Sequence, residues 1–145
     1  MSTRSRIGYV MKTGAIASVY CHSDGYIEGV GLTLLNHYTD PKKIRALIKL
    51  GDLSSLHEKV APPAGVNHAF DWTERAPGVT VAYKRDRGET DVDPIQSATI
   101  EEFLAIDSGQ EYSYLWDGRW WVWDMDKPTE KLELAVAAVK ERITA

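Results

Sequence analysis

The sequence predicts a single α+β domain over residues 1–145, with a mainly antiparallel sheet of about five strands and about four helices. Two hairpin patterns lie at opposite ends of the chain, amphipathic helical patterns fill the space between and after them, and no internal repeat divides the sequence. A hydrophobic fraction of 43% with 26% charged residues gives one sizeable core and excludes a disordered chain.

Residues 7–11 and 15–20 are short apolar runs separated by Lys12-Thr13-Gly14, which reads as a hairpin. A tight turn there places Ile7, Tyr9, Met11, Ile16 and Tyr20 on one face, with Arg4, Arg6 and Cys21 on the other. Val30, Leu34, Leu35 and Tyr38 recur near the helical period, so residues 27–38 are expected to be helical. Asp40-Pro41 supplies an N-cap and a first-turn proline to a second helix, whose stripe of Ile44, Leu47 and Ile48 ends at Gly51. Residues 52–57 read as a further helical turn, and Pro62, Pro63, Gly65, Pro77 and Gly78 make 58–78 a long loop.

Val79-Thr80-Val81-Ala82-Tyr83 alternates as a strand and is followed by a polar, charged loop. Thr99 with Glu102 forms a capping-box pattern ahead of Phe103 and Ile106. Asp117-Gly118 favours a two-residue hairpin turn, which pairs Tyr112 with Trp123, Tyr114 with Trp121 and Trp116 with Arg119. Leu132, Val136, Val139 and Ile143 complete the pattern as the apolar stripe of a C-terminal helix.

Several function classes are excluded at this level. No apolar run reaches the roughly 18 residues that span a bilayer, and the N-terminus lacks a secretory signal pattern, so a cytoplasmic protein is expected. A single cysteine cannot form an internal disulfide or a multi-thiolate metal site, and the four histidines show no paired metal-ligand spacing. No metal or cofactor is expected. A net charge of −4 argues against nonspecific nucleic-acid coating, which needs many phosphate-neutralising cations.

Two loops carry concentrated chemistry. Tyr20-Cys21-His22-Ser23-Asp24-Gly25-Tyr26 gathers a thiol, an imidazole, a carboxylate and two phenols where a strand ends. Cys21 and His22 diverge if the strand continues, which weakens a thiol-nucleophile reading, whereas His22 and Asp24 share a side. Arg85 and Arg87 follow a later strand and, if unpaired, offer two guanidinium forks to one anion; alanine at both positions is then expected to abolish binding and leave stability unchanged. Part of the aromatic hairpin, if open, can stack a base, with Arg119 beside Trp116 as an anion contact.

Ser2-Thr3-Arg4-Ser5-Arg6, Tyr20-Cys21-His22 with Asp24-Gly25-Tyr26, and Arg85-Asp86-Arg87-Gly88-Glu89 together resemble blocks of a family of small bacteriophage and prophage proteins. The resemblance spans most of the chain and implies an accessory protein acting in the bacterial host cytoplasm. No catalytic residue is carried over from it. The resulting expectation is a non-enzymatic counter-defence protein, and a homo-oligomer, that captures a small anionic, nucleotide-derived ligand. Arg4, Arg6, Arg85 and Arg87 are expected at its phosphates and His22, Asp24 and Tyr26 at its sugar or base. The alternatives are an inhibitor that binds a host defence protein through an aromatic or basic face, and a nucleotide hydrolase using His22 and Asp24.

Overall fold

A computed structural model describes residues 2–144, with side chains as far as Glu141. In chain order the elements are β1 (Ser5–Val10), β2 (Ile16–Cys21), a wide helical turn (Ile27–Gly31) running into α1 (Leu32–His37), and α2 (Pro41–Lys49). Then come β3 (Leu53–Ser55), β4 (Val81–Ala82), α3 (Tyr83–Arg87), β5 (Ile95–Ser97) and α4 (Ile100–Leu104). The chain closes with β6 (Tyr112–Trp116), β7 (Trp120–Asp124), β8 (Leu132–Glu133) and α5 (Leu134–Thr144).

The architecture is α+β, and the sheet is mixed rather than mainly antiparallel. Eight strands form it, in the order β4-β3-β2-β1-β6-β7-β8 with β5 also on β2. β1 runs parallel to β6, and β2 parallel to β3. The additional strands are two or three residues long, too short for alternation to register in sequence. Residues 52–57 hold β3 in place of the expected helical turn, and α3 takes the last residue of the expected strand, Tyr83, and the start of the expected loop after it.

β2 is where the sheet divides. Its first half pairs with β5 and its end with β3, both along the same edge. Between them the carboxylate of Asp52 accepts the Tyr20 backbone N–H at 2.9 Å, which satisfies a donor that neither strand reaches.

Both hairpins are shifted by one residue from the expected register. In the first, the loop spans residues 11–15, closed by Met11 N–H to Ala15 O at 2.8 Å, and Val10 pairs with Ile16. Ile7 and Tyr9 therefore share a face with Ala17, Val19 and Cys21, whereas Arg6 shares the other with Ser18 and Tyr20. In the second, Asp117-Gly118-Arg119 forms a three-residue loop with Gly118 at φ 115°, so Trp116 pairs with Trp120 and Tyr114 with Val122.

Each face of the sheet carries a core. Ile7, Val19, Cys21, Tyr114, Trp120 and Val122 pack against α1, α2 and α5. On the opposite face Ile16, Leu115 and Trp123 pack against Phe103 of α4. Asp40 caps α2 as expected, its carboxylate accepting Lys42 N–H at 2.9 Å, and Ile44, Leu47 and Ile48 face inward. α4 has the expected cap, Glu102 N–H to Thr99 Oγ1 at 3.1 Å.

α5 turns a different face inward from the one expected. Leu134, Ala137 and Ala138 are buried, while Val136 and Val139 are 48% and 53% exposed. β8 keeps the chain extended to Glu133, which delays the helix start, and the two alanines let it approach the wide turn and β7 closely. Ile143, the last residue of the expected stripe, lies outside the described side chains.

Candidate functional site

The residues singled out in the sequence divide into three groups. Arg6 is 1% exposed near the start of β1, beneath the second face of the sheet. Its Nε donates to Ser18 Oγ at 2.9 Å, Nη2 to Ser18 O at 3.2 Å and Nη1 to Ser108 Oγ at 3.4 Å. Burial lowers its pKa, opposed by the charge of Asp52. A guanidinium so enclosed fastens the sheet to the loop that precedes β6 and is closed to an external ligand.

Arg4, Tyr20 and His22 gather at the start of β1. The Tyr20 phenol meets His22 Nδ1 at 2.7 Å. Burial raises the Tyr20 pKa, Arg4 counteracts it, and the nearby Tyr83 phenol adds to it. Arg4 is itself tied through its backbone, N–H to Glu111 Oε2 at 3.2 Å and O to Glu111 N–H at 2.9 Å. Asp24 sits at φ 54° and accepts the Tyr26 hydroxyl at 3.3 Å. His22 and Asp24 are thus each held by a tyrosine and do not form the acid–base pair considered from sequence.

Arg85 and Arg87 belong to α3, where they organise the long loop. Arg85 donates to Val60 O and Thr80 O, both at 2.6 Å, and twice to the Asp86 carboxylate at 2.8 and 3.0 Å. Asp86 also accepts Ala82 N–H at 2.8 Å, a back-reaching cap of α3, and lies 3.3 Å from Nε2 of the buried His68. Arg87 pairs with Glu89 at 2.8 Å and lies over the rings of Phe70 and Tyr83 at 4.3 and 5.1 Å. The block that read as an anion fork therefore clamps residues 58–78 onto the sheet edge. The sequence signal for that role was Asp86 between the two arginines, a counter-ion placed to occupy them.

Cys21 is buried, and desolvation pushes its thiol up to about 12, with a 3.7 Å contact to Ser23 O. At neutral pH it is a protonated core residue. Iodoacetamide is expected to leave Cys21 unmodified in the native protein and to alkylate it in urea, read by intact mass; modification at similar rates in both conditions contradicts this placement.

A cleft that combines aromatic and basic side chains lies at the opposite end of β1. Tyr9 and Trp116 are register partners on the parallel strands β1 and β6, so their rings project side by side from one face. With Lys12 from the hairpin loop and Pro41 and Arg45 from α2 they line a cleft of about 470 Å³. Trp116 also borders a second cleft of about 310 Å³, lined by Thr39, Arg119, Trp120 and Glu133 among others. Trp120 meets Trp116 edge to face at 5.4 Å and is itself fixed by Nε1–H to Tyr38 O at 2.8 Å. That contact braces Trp116, which is partly buried against the core.

Sequence reasoning named Trp116 with Arg119, and Lys12 only within a hairpin turn. It did not bring them together, because the parallel pairing of β1 with β6 joins segments over 100 residues apart. No protein-family profile, curated protein or solved structure matches this chain.

Proposed function

We propose that this protein captures a small anionic ligand bearing a flat ring, of the nucleotide-derived kind, and holds it unchanged, as an accessory phage protein that withdraws a host defence signal. The observation that carries the reading is the cleft in which Tyr9 and Trp116 form an aromatic wall beside Lys12 and Arg45. Its volume falls within the roughly 300–1,000 Å³ of small-molecule sites. Stacking on an exposed aromatic contributes about 1–3 kcal/mol per base, and a guanidinium binds a phosphate through paired hydrogen bonds. The described lining of this cleft includes no carboxylate, so local charge favours an anion although the whole chain carries −4.

The cleft takes the place of the four-arginine site expected from sequence. Arg6 and Arg85 have their donors committed to the protein, and Arg87 faces Glu89. A protein-binding aromatic face has less support, since Trp120 and Trp123 are both 3% exposed and the strongly exposed Trp72 lies outside the hairpin.

Titrating the protein with purine mononucleotides is expected to quench its tryptophan fluorescence. Trp116→Phe retains a ring and lowers affinity modestly, whereas Arg45→Ala lowers it about tenfold with the melting temperature kept, as expected for loss of a charged contact on an exposed helix face. Chromatography of the ligand after heat denaturation is expected to return it intact. Equal affinity in wild type and Arg45→Ala, or a hydrolysed ligand, overturns the proposal.

A further inference from the structure

We infer that the ligand contains two nucleotide units joined by a phosphodiester, laid across Trp116 so that one unit occupies each cleft; this rests on the reading of the larger cleft as a nucleotide site. The two clefts, about 470 and 310 Å³, share Trp116 in their walls, so a ligand passing from one to the other crosses that indole. Each has its own arginine, Arg45 in the larger and Arg119 in the smaller. Each cleft therefore joins the Trp116 wall to a cation of its own, as each unit of a dinucleotide joins a ring to a phosphate. A mononucleotide engages one half of this pattern and leaves Arg119 unused.

Arg119 is available for the second contact. Its side chain is 63% exposed, and its separation from Glu133 Oε1 is 3.7 Å, beyond a direct hydrogen bond. The fork can turn from Glu133 to a phosphate without breaking a tight pair. Glu133 itself lines the smaller cleft and repels an anion there, which gives a test of opposite sign: neutralising it strengthens binding in that cleft alone. Thr39 adds a hydroxyl on the same wall for a polar edge of the ligand.

Linear and cyclic ligands share this chemistry and separate by titration. Wild type, Arg45→Ala, Arg119→Ala and Glu133→Gln are titrated with AMP and GMP, with 5′-phosphorylated linear diadenylate and diguanylate, and with the corresponding cyclic dinucleotides. The tighter of the linear and cyclic dinucleotides is expected to bind wild type about tenfold or more above its mononucleotide, the gain from the second unit's contact with Arg119. Arg119→Ala is expected to remove that gain and leave mononucleotide binding unchanged, Arg45→Ala to weaken both, and Glu133→Gln to tighten the dinucleotide only. Tighter linear binding points to nucleic-acid ends as the source, and tighter cyclic binding to a cyclic messenger; either supports the inference. Equal binding of mono- and dinucleotide, or an Arg119→Ala variant indistinguishable from wild type, overturns it while the mononucleotide site stands. Absence of binding by every probe overturns both.

Discussion

Replacing Arg85 with alanine is expected to destabilise the protein by about 2–3 kcal/mol, a large part of the roughly 5–15 kcal/mol that holds a domain folded. The side chain makes two charge-assisted bonds to the carbonyls of Val60 and Thr80 and two to Asp86. Its removal releases the start of the long loop and leaves the Asp86 carboxylate, 4% exposed, without its cation. Arg87→Ala is the internal comparison. Its partner Glu89 is 36% exposed and its remaining contacts are ring faces, so the loss there is about 1 kcal/mol or less. Urea titration separates the two by midpoint at constant slope. Equal shifts for both variants contradict the assignment of Arg85 as the loop clamp.

The same clamp sets a pH signature. Burial alone would raise the Asp86 pKa, but hydrogen bonds from Arg85 and the Ala82 N–H hold it below the usual carboxylate value. A carboxylate whose folded pKa is depressed contributes stability that is complete above about pH 4, its unfolded value, and is lost as pH falls through the folded one. Arg85→Ala is expected to flatten that acid limb, because the neighbour that favours ionised Asp86 is gone.

What could be read from sequence follows the range of the interactions. Asp40-Pro41, Gly51 and Thr99 with Glu102 act within one helical turn, and the elements they delimit are where the sequence places them. The hairpins were legible as hairpins but not in register, because one added loop residue exchanges the faces and neither Gly14 nor Gly118 reveals loop length. The partners of β3, β4 and β5 were not legible, since pairs of two or three residues are selected by packing rather than by propensity. At the site, Arg85 and Arg87 were visible as cations, but their neutralisation depends on Asp86 reaching back to Ala82 N–H and on loop carbonyls 25 and 5 residues away. The Tyr9–Trp116 wall depends on a parallel pairing that nothing local encodes.

Gly51→Ala is expected to be the most damaging small substitution, costing about 3–5 kcal/mol. Gly51 ends α2 at φ 80°, where a side chain costs about 1–2 kcal/mol in any surroundings. A Cβ there would also clash with the Val92 carbonyl oxygen, a backbone atom that cannot rotate away. That oxygen accepts Asp52 N–H at 2.8 Å, and Asp52 in turn accepts Tyr20 N–H where the sheet divides between β3 and β5. Displacing Val92 therefore loosens three segments at once and orphans partly buried backbone donors, each costing about 1 kcal/mol or more. Gly65 isolates the conformational part, because it has the same φ of 80° with nothing within 4 Å of the added Cβ. Gly65→Ala is expected to lose only about 1–2 kcal/mol, with the excess at Gly51 measuring how tightly the Val92 carbonyl is held. Thermal denaturation of both variants decides it: similar losses mean that Val92 yields to the added methyl and that the junction does not fix the division of the sheet.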